Sequence, residues 1–214
     1  PNWQTELVEE MVLIRFIAGM VGIAALLLTM PAWAEPPSTK DALKDRVLGD
    51  PNAPVEIIEY SSLTCSHCRN FHLNVLPELK KIYIDTGKVR FIMREFPFDP
   101  RAQAGFMLAR CAGEGNWYAT VDLLYRSQDR WARVADPASA FKSIMGLTGM
   151  SGEKVEACLT DQSILDKVSE VMETGKSYGV DSTPTFFING EEHKGALTID
   201  QFSEIIDPMI PAAQ

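Results

Sequence analysis

The 214-residue sequence predicts an α/β fold in which a strand-containing part is interrupted by a long helical insertion. Short runs rich in β-branched and aromatic residues indicate strands at 55–60, 89–96 and 185–188. Between the second and third of these runs, residues 99–178 carry apolar side chains at helical spacing. Because a crossover between strands ordinarily needs only about a dozen residues, this block is predicted to be a helical insertion.

The remaining elements follow from local patterns on either side of the insertion. Apolar residues recur at helical spacing over 71–83, and Pro77 within that stretch is expected to kink the helix because its ring removes a backbone hydrogen bond. Asn189-Gly190 predicts a two-residue β-hairpin, and residues 199–206 form an amphipathic closing helix. The chain therefore contains a βαβ unit and a ββα unit, separated by the insertion.

Residues 1–34 are predicted to be a signal peptide and not part of the fold. Residues 16–34 contain no charged side chain and close on Ala-Trp-Ala, the small-x-small pattern of a cleavage site. The acidic residues before Met11 are unusual for a signal, so Met11 is a candidate start of translation. The alternative is a retained membrane anchor, since the uncharged stretch approaches the length of a membrane span.

Cleavage there would leave residues 35–45 as a polar, Pro-containing tail that is expected to be flexible. Residues 46–98 and 179–214 are predicted to form one strand-containing domain, with residues 99–178 inserted into it as a helical domain. A simple cleavable signal predicts export to a bacterial periplasm. The four cysteines, an even number, suit such an oxidising compartment.

The net charge argues against one class of partner. With 29 acidic side chains against 20 lysines and arginines, the formal charge is −9 at pH 7. No basic patch or basic-aromatic run stands out in the sequence, and a nucleic-acid-binding surface requires one. Nucleic acid is therefore not an expected partner.

The central motif is Cys65-Ser66-His67-Cys68, which lies where the first predicted strand turns into a helix. Unpaired backbone N–H groups and the positive end of the helix dipole point at Cys65 in that position, and both favour a thiolate. The thiolate is the nucleophile in disulfide exchange. Two intervening residues keep both sulfurs on one helical turn, so that a disulfide can close between them.

The C-x-x-C spacing alone also occurs in haem and zinc sites. A haem attachment site has His after the second cysteine, where this chain has Arg69. A zinc site normally needs a second matching pair, and Cys111 and Cys158 lie far apart in the sequence. No metal or other cofactor is therefore expected, while a purely structural Cys65–Cys68 disulfide is the simpler alternative.

Cys111 and Cys158 are predicted to form a second, structural disulfide within the helical insertion. Both lie on apolar stripes, and an exported protein folds in an oxidising compartment. The alternative is two buried free cysteines, because connectivity cannot be deduced from spacing alone.

Three features together resemble the DsbA-type thiol-disulfide oxidoreductases. They are the C-x-x-C at a strand–helix junction, the segment Ser182-Thr183-Pro184-Thr185 before the hairpin, and the helical insertion between them. The similarity runs over residues 46–207. It implies a thioredoxin-like fold with an inserted helical domain, and unfolded or partly folded secreted proteins with free cysteines as substrates. It also implies a quinone-linked membrane oxidase as the partner that restores the disulfide.

The resemblance assigns roles to individual residues. Cys65 matches the exposed attacking cysteine, and Cys68 matches the buried resolving cysteine. Glu59 matches the acidic residue beneath the active site, where it is expected to exchange a proton with Cys68. Pro184 matches the cis-proline that faces the disulfide and lines the peptide-binding groove. His67 matches the usual second intervening residue and is expected to donate to the Cys65 thiolate.

Two residues of the expected groove depart from the best-known members of the family. Ser66 stands where those members have proline, and Thr183 stands where the best-known oxidase has valine before its cis-proline. Both positions tune redox potential and partner release in the family, so these departures favour a less oxidising protein. Two further histidines, His72 and His193, are interpreted as structural or surface residues.

The predicted function is donation of the Cys65–Cys68 disulfide to folding secreted proteins. The alternatives are a disulfide isomerase or reductase of the same fold, or a non-catalytic exported peptide-binding or chaperone module. Isomerases of related fold usually dimerise through an added N-terminal segment, and the stretch from 35 to 50 is too short and too polar to build one. The protein is therefore expected to be a monomeric dithiol oxidase.

Overall fold

A mixed five-stranded sheet forms the centre of the computed structural model, which describes residues 45–211. The strands are β1 Val47–Leu48, β2 Val55–Ser61, β3 Val89–Glu95, β4 Thr185–Ile188 and β5 Glu191–Lys194. They lie in the order β1-β3-β2-β4-β5; β2 and β3 are parallel, and the other neighbours are antiparallel. The three predicted strands and the hairpin are confirmed, whereas nothing in the sequence pattern predicts β1.

The helices occur where the apolar periodicity places them. They are α1 Ser66–Asn70, α2 Leu76–Leu79, α3 Pro100–Cys111, α4 Trp117–Arg126, α5 Pro137–Gly146, α6 Gly152–Leu159, α7 Gln162–Ser177 and α8 Ile199–Ile206. Helices α3 to α7 lie between β3 and β4, so the predicted α/β class with an inserted helical region is confirmed. Every helix in the described part of the chain is too short or too polar to cross a membrane.

The helix after β2 departs from regular α-helical geometry around Pro77. Two π-helical turns, Phe71–Val75 and Lys80–Ile84, flank α2. At the first of them the N–H of Leu76 bonds to the carbonyl of Phe71, one residue further back than in an α-helix. Proline has no N–H to donate, and its ring crowds the carbonyl four residues earlier. The wider π-turn therefore accommodates Pro77, in agreement with the predicted disturbance.

Side chains pack against both faces of the sheet. On one face, Phe71 of the first π-turn lies with its ring centroid 4.8 Å from that of Phe186, which in turn lies 5.2 Å from Phe202 of α8. On the other face, Tyr60 packs in a second cluster with Val171 of α7. Burial on both faces explains why the central strand β2 has consecutive apolar residues, with Ile57 in the first cluster and Ile58 in the second.

The core on the first face continues into the insertion. Phe106 of α3 and the two α4 residues Val121 and Leu124 are fully buried in the same cluster as the aromatic residues of the sheet. The described residues belong to one compact unit. The division into a strand-containing domain and an inserted domain therefore stays a prediction, since the two share a hydrophobic core.

The beginning of the described chain is held by a buried ion pair. Arg94 donates to both carboxylate oxygens of Asp45, at 3.0 and 2.7 Å, and to the hydroxyl of Tyr60 at 3.0 Å. The Arg94 side chain is only 1% exposed, so its charge requires such partners. Asp45, the last residue of the predicted flexible tail, is thus held by Arg94. The rest of that tail and the predicted signal peptide lie outside the described residues.

Cys111 and Cys158 are joined by a disulfide, with their Cα atoms 6.1 Å apart. Cys111 is the last residue of α3, and Cys158 lies near the end of α6. The bond therefore links two helices of the insertion across a sequence separation of 47 residues.

The double substitution Cys111→Ala/Cys158→Ala is expected to lower the free energy of unfolding. Opening a loop closed by 47 residues returns chain entropy to the unfolded state, about 4 kcal/mol in the loop-entropy treatment. Urea unfolding of the oxidised proteins measures the difference. Repeating the comparison under reducing conditions controls for the lost sulfur atoms, and equal stability of the two oxidised proteins would contradict the prediction.

Candidate active site

The two cysteines of the C-x-x-C motif occupy different environments. Cys65 caps the N-terminus of α1 and is partly exposed, while Cys68 lies in the first turn and is completely buried. Both are free thiols, and the N–H of Cys68 donates to Sγ of Cys65 over 3.4 Å. The strand-to-helix turn predicted from the sequence therefore places one sulfur at the surface and the other beneath it.

The loop before β4 lies against the exposed sulfur. The Thr183–Pro184 peptide bond is cis. The carbonyl oxygen of Thr183 is 3.4 Å from Sγ of Cys65. Because β4 pairs with β2, the loop that precedes β4 and the motif that follows β2 meet at the same edge of the sheet.

The Cys65 thiol is strongly acidic for a cysteine. A hydrogen bond from the Cys68 thiol is the largest cause. It lowers the pKa of Cys65, burial opposes it, and the resulting pKa is about 5. The backbone N–H of Cys68, the Thr183 side chain and the backbone N–H of His67 also stabilise the thiolate. The sequence interpretation assigned the His67 contribution to its imidazole; here the donor is the backbone, and the His67 side chain is exposed.

Cys68 has the opposite character. Burial raises its pKa well above that of an ordinary thiol, and the hydrogen bond to Cys65 and the charge of Glu59 raise it further. The Ser61 hydroxyl opposes these effects and lowers the pKa of Cys68. Cys68 therefore keeps its proton at neutral pH, while Cys65 loses its own.

A buried polar cluster lies beneath Cys68. Glu59 has no exposed surface; its Oε1 accepts a hydrogen bond from Ser61 Oγ at 2.7 Å, and its Oε2 lies 2.8 Å from Nε2 of His72. The hydroxyls of Ser61 and Tyr125 are 2.9 Å apart, and the Tyr125 ring lies against the His72 ring at 4.7 Å between centroids. This cluster, Glu59, Ser61, His72 and Tyr125, is called the buried polar cluster below.

His72, interpreted from the sequence as a structural or surface residue, belongs to this site. It is buried against the predicted acid Glu59, so the structural interpretation stands and the surface one is wrong. Its position four residues after Cys68 puts both side chains on the same side of the helix, one turn apart. That spacing is the signal by which His72 could have been found.

The helical insertion holds the backbone around Cys65. The buried side chain of Gln128 donates from Nε2 to the carbonyl of Leu63 at 2.8 Å and to that of Cys65 at 3.2 Å. The neighbouring Asp129 pairs with Arg69 of α1 at 3.0 Å. These contacts join residues about sixty positions apart in sequence, so no local pattern predicts them.

The structure therefore brings Cys65, Cys68, Glu59 and the Thr183–Pro184 loop together, and Ser66 is exposed next to Cys65. Among residues 45–211 no cluster of three or more His, Cys, Asp or Glu side chains could hold a metal ion. The chemistry available at the site is thiol–disulfide exchange between a stabilised thiolate and a buried thiol.

The comparisons with known proteins agree with this geometry. Residues 41–208 match the thioredoxin family. The crystal structure of Wolbachia pipientis alpha-DsbA1 is 32% identical; the match covers 86% of this chain and 94% of that one, with a TM-score of 0.72. BdbD from Bacillus subtilis, 23% identical over 82% of this chain and 96% of its own, shows the same fold with a TM-score of 0.66.

A Rickettsia conorii protein provisionally named a protein-disulfide oxidoreductase is 33% identical over 169 residues. That match covers 76% of this chain but only 59% of the relative, so the chain spans little more than half the length of that protein. On these matches and on its site, the chain belongs to the DsbA-type thiol-disulfide oxidoreductases of the thioredoxin family.

Alkylation of the reduced protein should distinguish the two active-site thiols. The rate of iodoacetamide addition to Cys65 is expected to rise with its thiolate fraction and to reach half its maximum near pH 5, whereas Cys68 stays unlabelled. Peptide mass analysis at a series of pH values measures both rates, with Cys65→Ala as the control for labelling of Cys68. Labelling of Cys68 before Cys65, or a midpoint near that of a free thiol at about 8.5, would contradict this assignment.

Proposed function

We propose that the protein is an extracytoplasmic oxidase of protein thiols, which donates the Cys65–Cys68 disulfide to unfolded or partly folded secreted proteins. The observation that supports this proposal is the asymmetry of the pair. A partly exposed cysteine has a pKa near 5, and it lies beside a buried cysteine whose pKa is raised.

In the first step of the reaction a substrate thiolate attacks Sγ of Cys65 in the oxidised protein. The Cys65–Cys68 bond breaks, its electron pair goes to Cys68, and a mixed disulfide joins Cys65 to the substrate. Cys68 then takes up a proton, because its buried position and the charge of Glu59 oppose a thiolate there. Attack at Cys65 and not at Cys68 follows from exposure.

In the second step another substrate thiolate attacks the substrate sulfur of the mixed disulfide. The new disulfide forms in the substrate, and Cys65 departs with the bonding electrons. A thiolate with a low pKa is a good leaving group, so Cys65 is suited to this departure. The substrate loses two electrons, and the Cys65–Cys68 pair gains them.

The direction of transfer follows from which form of the pair is stabilised. Cys65 is a thiolate only in the reduced protein, so the hydrogen bonds that stabilise the thiolate stabilise the reduced form. They therefore favour donation of the disulfide to the substrate. Reoxidation by a quinone-linked membrane partner, a periplasmic location and a monomeric state complete the proposal. They rest on the resemblance to the DsbA-type proteins and on the predicted signal.

A peptide with two reduced cysteines tests the proposal. The oxidised protein is expected to convert it rapidly to the disulfide form, and Cys65→Ala to be inactive. Cys111→Ala/Cys158→Ala serves as the control that keeps the active-site pair. The wild-type protein should refold scrambled ribonuclease poorly. Efficient unscrambling by a dimer would support the isomerase alternative. A protein that neither oxidises the peptide, nor refolds ribonuclease, nor accelerates the reduction of insulin would be a non-catalytic binding module.

The equilibrium of this transfer is expected to depend on pH. Between about pH 5 and pH 8.5, the peptide gives up two protons, Cys68 keeps one, and one is released, because Cys65 stays a thiolate. The equilibrium constant for donation should therefore rise tenfold per pH unit in this window and level off as pH falls through 5. Acid-quenched equilibrium mixtures measure it, and a constant that does not vary with pH would contradict the low pKa of Cys65.

A further inference from the structure

A short segment of the helical insertion carries an excess of positive charge. Residues 126–133 contain three arginines and one aspartate, in a chain whose formal charge is −9. The first arginine, Arg126, pairs with Asp122 at 2.7 Å. Arg130 and Arg133 are exposed, and neither side chain forms an ion pair or hydrogen bond with another residue in the part of the chain that the structure describes. Two positive charges are therefore available to a molecule outside the chain.

The segment is fixed against the backbone of the exposed cysteine. Near its beginning, Nε2 of Gln128 donates to the carbonyl of Cys65 at 3.2 Å. Near its end, the carbonyl of Ala132 accepts a hydrogen bond from Arg101 of α3 at 2.7 Å. Between these contacts, Trp131 is fully buried in the hydrophobic core. Because the backbone is held at three points, the exposed arginines extend from fixed positions.

Arg130 is close enough to Cys65 for its charge to act on a substrate bound there. It follows Gln128 by two residues, so the Cα atoms of these residues are at most about 7 Å apart. Between exposed groups at physiological salt, charge interactions extend over about 8 Å. A carboxylate next to the thiolate that attacks Cys65 therefore comes within the range of this arginine.

Arg133 belongs to the same surface through a second set of contacts. It follows Ala132, whose carbonyl is held by Arg101. The backbone N–H of Arg101 donates to Asp99 at 2.8 Å, and Asp99 also accepts a hydrogen bond from the hydroxyl of Thr64. Thr64 is the residue directly before the C-x-x-C motif. Both unpaired arginines therefore lie on the part of the insertion that borders the exposed sulfur.

The acidic side chains around this surface already have partners. Asp129 pairs with Arg69 at 3.0 Å, and Asp181, near the cis-proline loop, pairs with Lys194 at 2.9 Å. Asp136 caps α5 by accepting a hydrogen bond from a backbone N–H at 3.0 Å. The two unpaired arginines therefore leave an excess of positive charge on the insertion side of the active site.

We propose that Arg130 and Arg133 form a cationic rim that favours substrates with carboxylates beside the reacting cysteine. The proposal deepens the proposed function and rests on it, because the rim acts on the substrate segment whose thiolate attacks Cys65. An anionic membrane surface is another partner of the same charge, but lipid recognition typically uses clusters of about four to eight basic residues. Two free arginines on a chain of charge −9 suit a short acidic segment of a protein.

The rim changes the rate of the first step of donation and leaves its chemistry as it is. The substrate thiolate attacks Sγ of Cys65, the bond to Cys68 breaks with its electron pair on Cys68, and Cys68 takes up a proton. In water, two unit charges about 8 Å apart interact strongly enough to change a rate about twofold. Two arginines and two carboxylates make four such pairs, so an effect of about tenfold is expected once screening by salt is included.

Three peptides test the rim, each with two reduced cysteines and with glutamate, glutamine or lysine beside them. The rate at which each peptide reduces the oxidised protein is measured by acid quenching and mass analysis. Flanking charges also change the acidity of the peptide thiols. Each peptide is therefore compared with itself across protein variants, which cancels this effect.

The double substitution Arg130→Gln/Arg133→Gln is expected to slow the glutamate peptide about tenfold, to leave the glutamine peptide within about twofold and to accelerate the lysine peptide. Arg130→Glu/Arg133→Glu should go further and favour the lysine peptide over the glutamate peptide. The effect of the glutamine variant should shrink as salt rises from about 0.01 M to about 1 M, because the Debye length falls from about 30 Å to about 3 Å.

Lys81→Gln is the matched control for Arg130→Gln. Lys81 is exposed in the second π-turn, forms no ion pair with another described residue, and lies roughly 20 Å from Cys65 along the helical stretch that follows it. Arg130→Gln should slow the glutamate peptide about threefold, whereas Lys81→Gln should leave all three peptides unchanged. Equal slowing by both substitutions would show an effect of net charge and overturn the rim.

Two other outcomes would overturn the proposal. Equal changes for all three peptides in Arg130→Gln/Arg133→Gln would show a structural role for the arginines. Unchanged peptide rates, together with loss of binding to phosphatidylserine vesicles in the same variant, would assign the arginines to a membrane surface.

The glutamine peptide separates this inference from the proposed function. If the wild-type protein does not oxidise this neutral peptide or either of the others, the proposed function fails. If the wild type oxidises the peptides and the arginine variants do so at the same rates, the function stands and the rim is wrong.

Discussion

A carboxylate with no exposed surface lies beneath the active site, and much of the surrounding structure serves to accommodate it. Burying a polar group without partners costs free energy, so Glu59 requires hydrogen bonds on both oxygens. Ser61 and His72 supply them, at 2.7 and 2.8 Å. The charge of Glu59 in turn helps to keep Cys68 protonated, and the Cys68 thiol donates the hydrogen bond that most stabilises the Cys65 thiolate. The difference between the two cysteines therefore begins with the burial of Cys68, and the charge of Glu59 adds to it.

The helical insertion takes part in the same arrangement. Tyr125 of α4 contacts both the Ser61 hydroxyl and the His72 ring, so one side of the buried polar cluster comes from the insertion. Two residues after α4, Gln128 holds the carbonyl of Cys65. Because the insertion also shares a hydrophobic core with the sheet, a shift of α4 would alter the site at two places. The insertion is thus part of the structure that sets the reactivity of the cysteines.

The parts of this structure that the sequence predicts are those whose signals are local. The buried central strand is indicated by its β-branched and apolar residues, and the C-x-x-C motif follows that strand directly in the sequence. The strand β1 has only two residues, too few for any periodicity. His72 is a single polar side chain on an apolar stripe, so its role becomes visible only when Glu59 is known to lie opposite. Gln128 reaches Cys65 from 63 positions away, a contact that only the tertiary fold creates.

The reduction potential of the Cys65–Cys68 pair tests the central claim most directly. If the reduced form is stabilised by the Cys65 thiolate, equilibration with glutathione buffers at pH 7 should give a potential clearly less negative than that of glutathione, roughly −240 mV. The pair would then be found mainly as the dithiol in a balanced glutathione buffer. A potential near that of a thiol reductant such as thioredoxin, about −270 mV, would show that the thiolate does not drive disulfide donation.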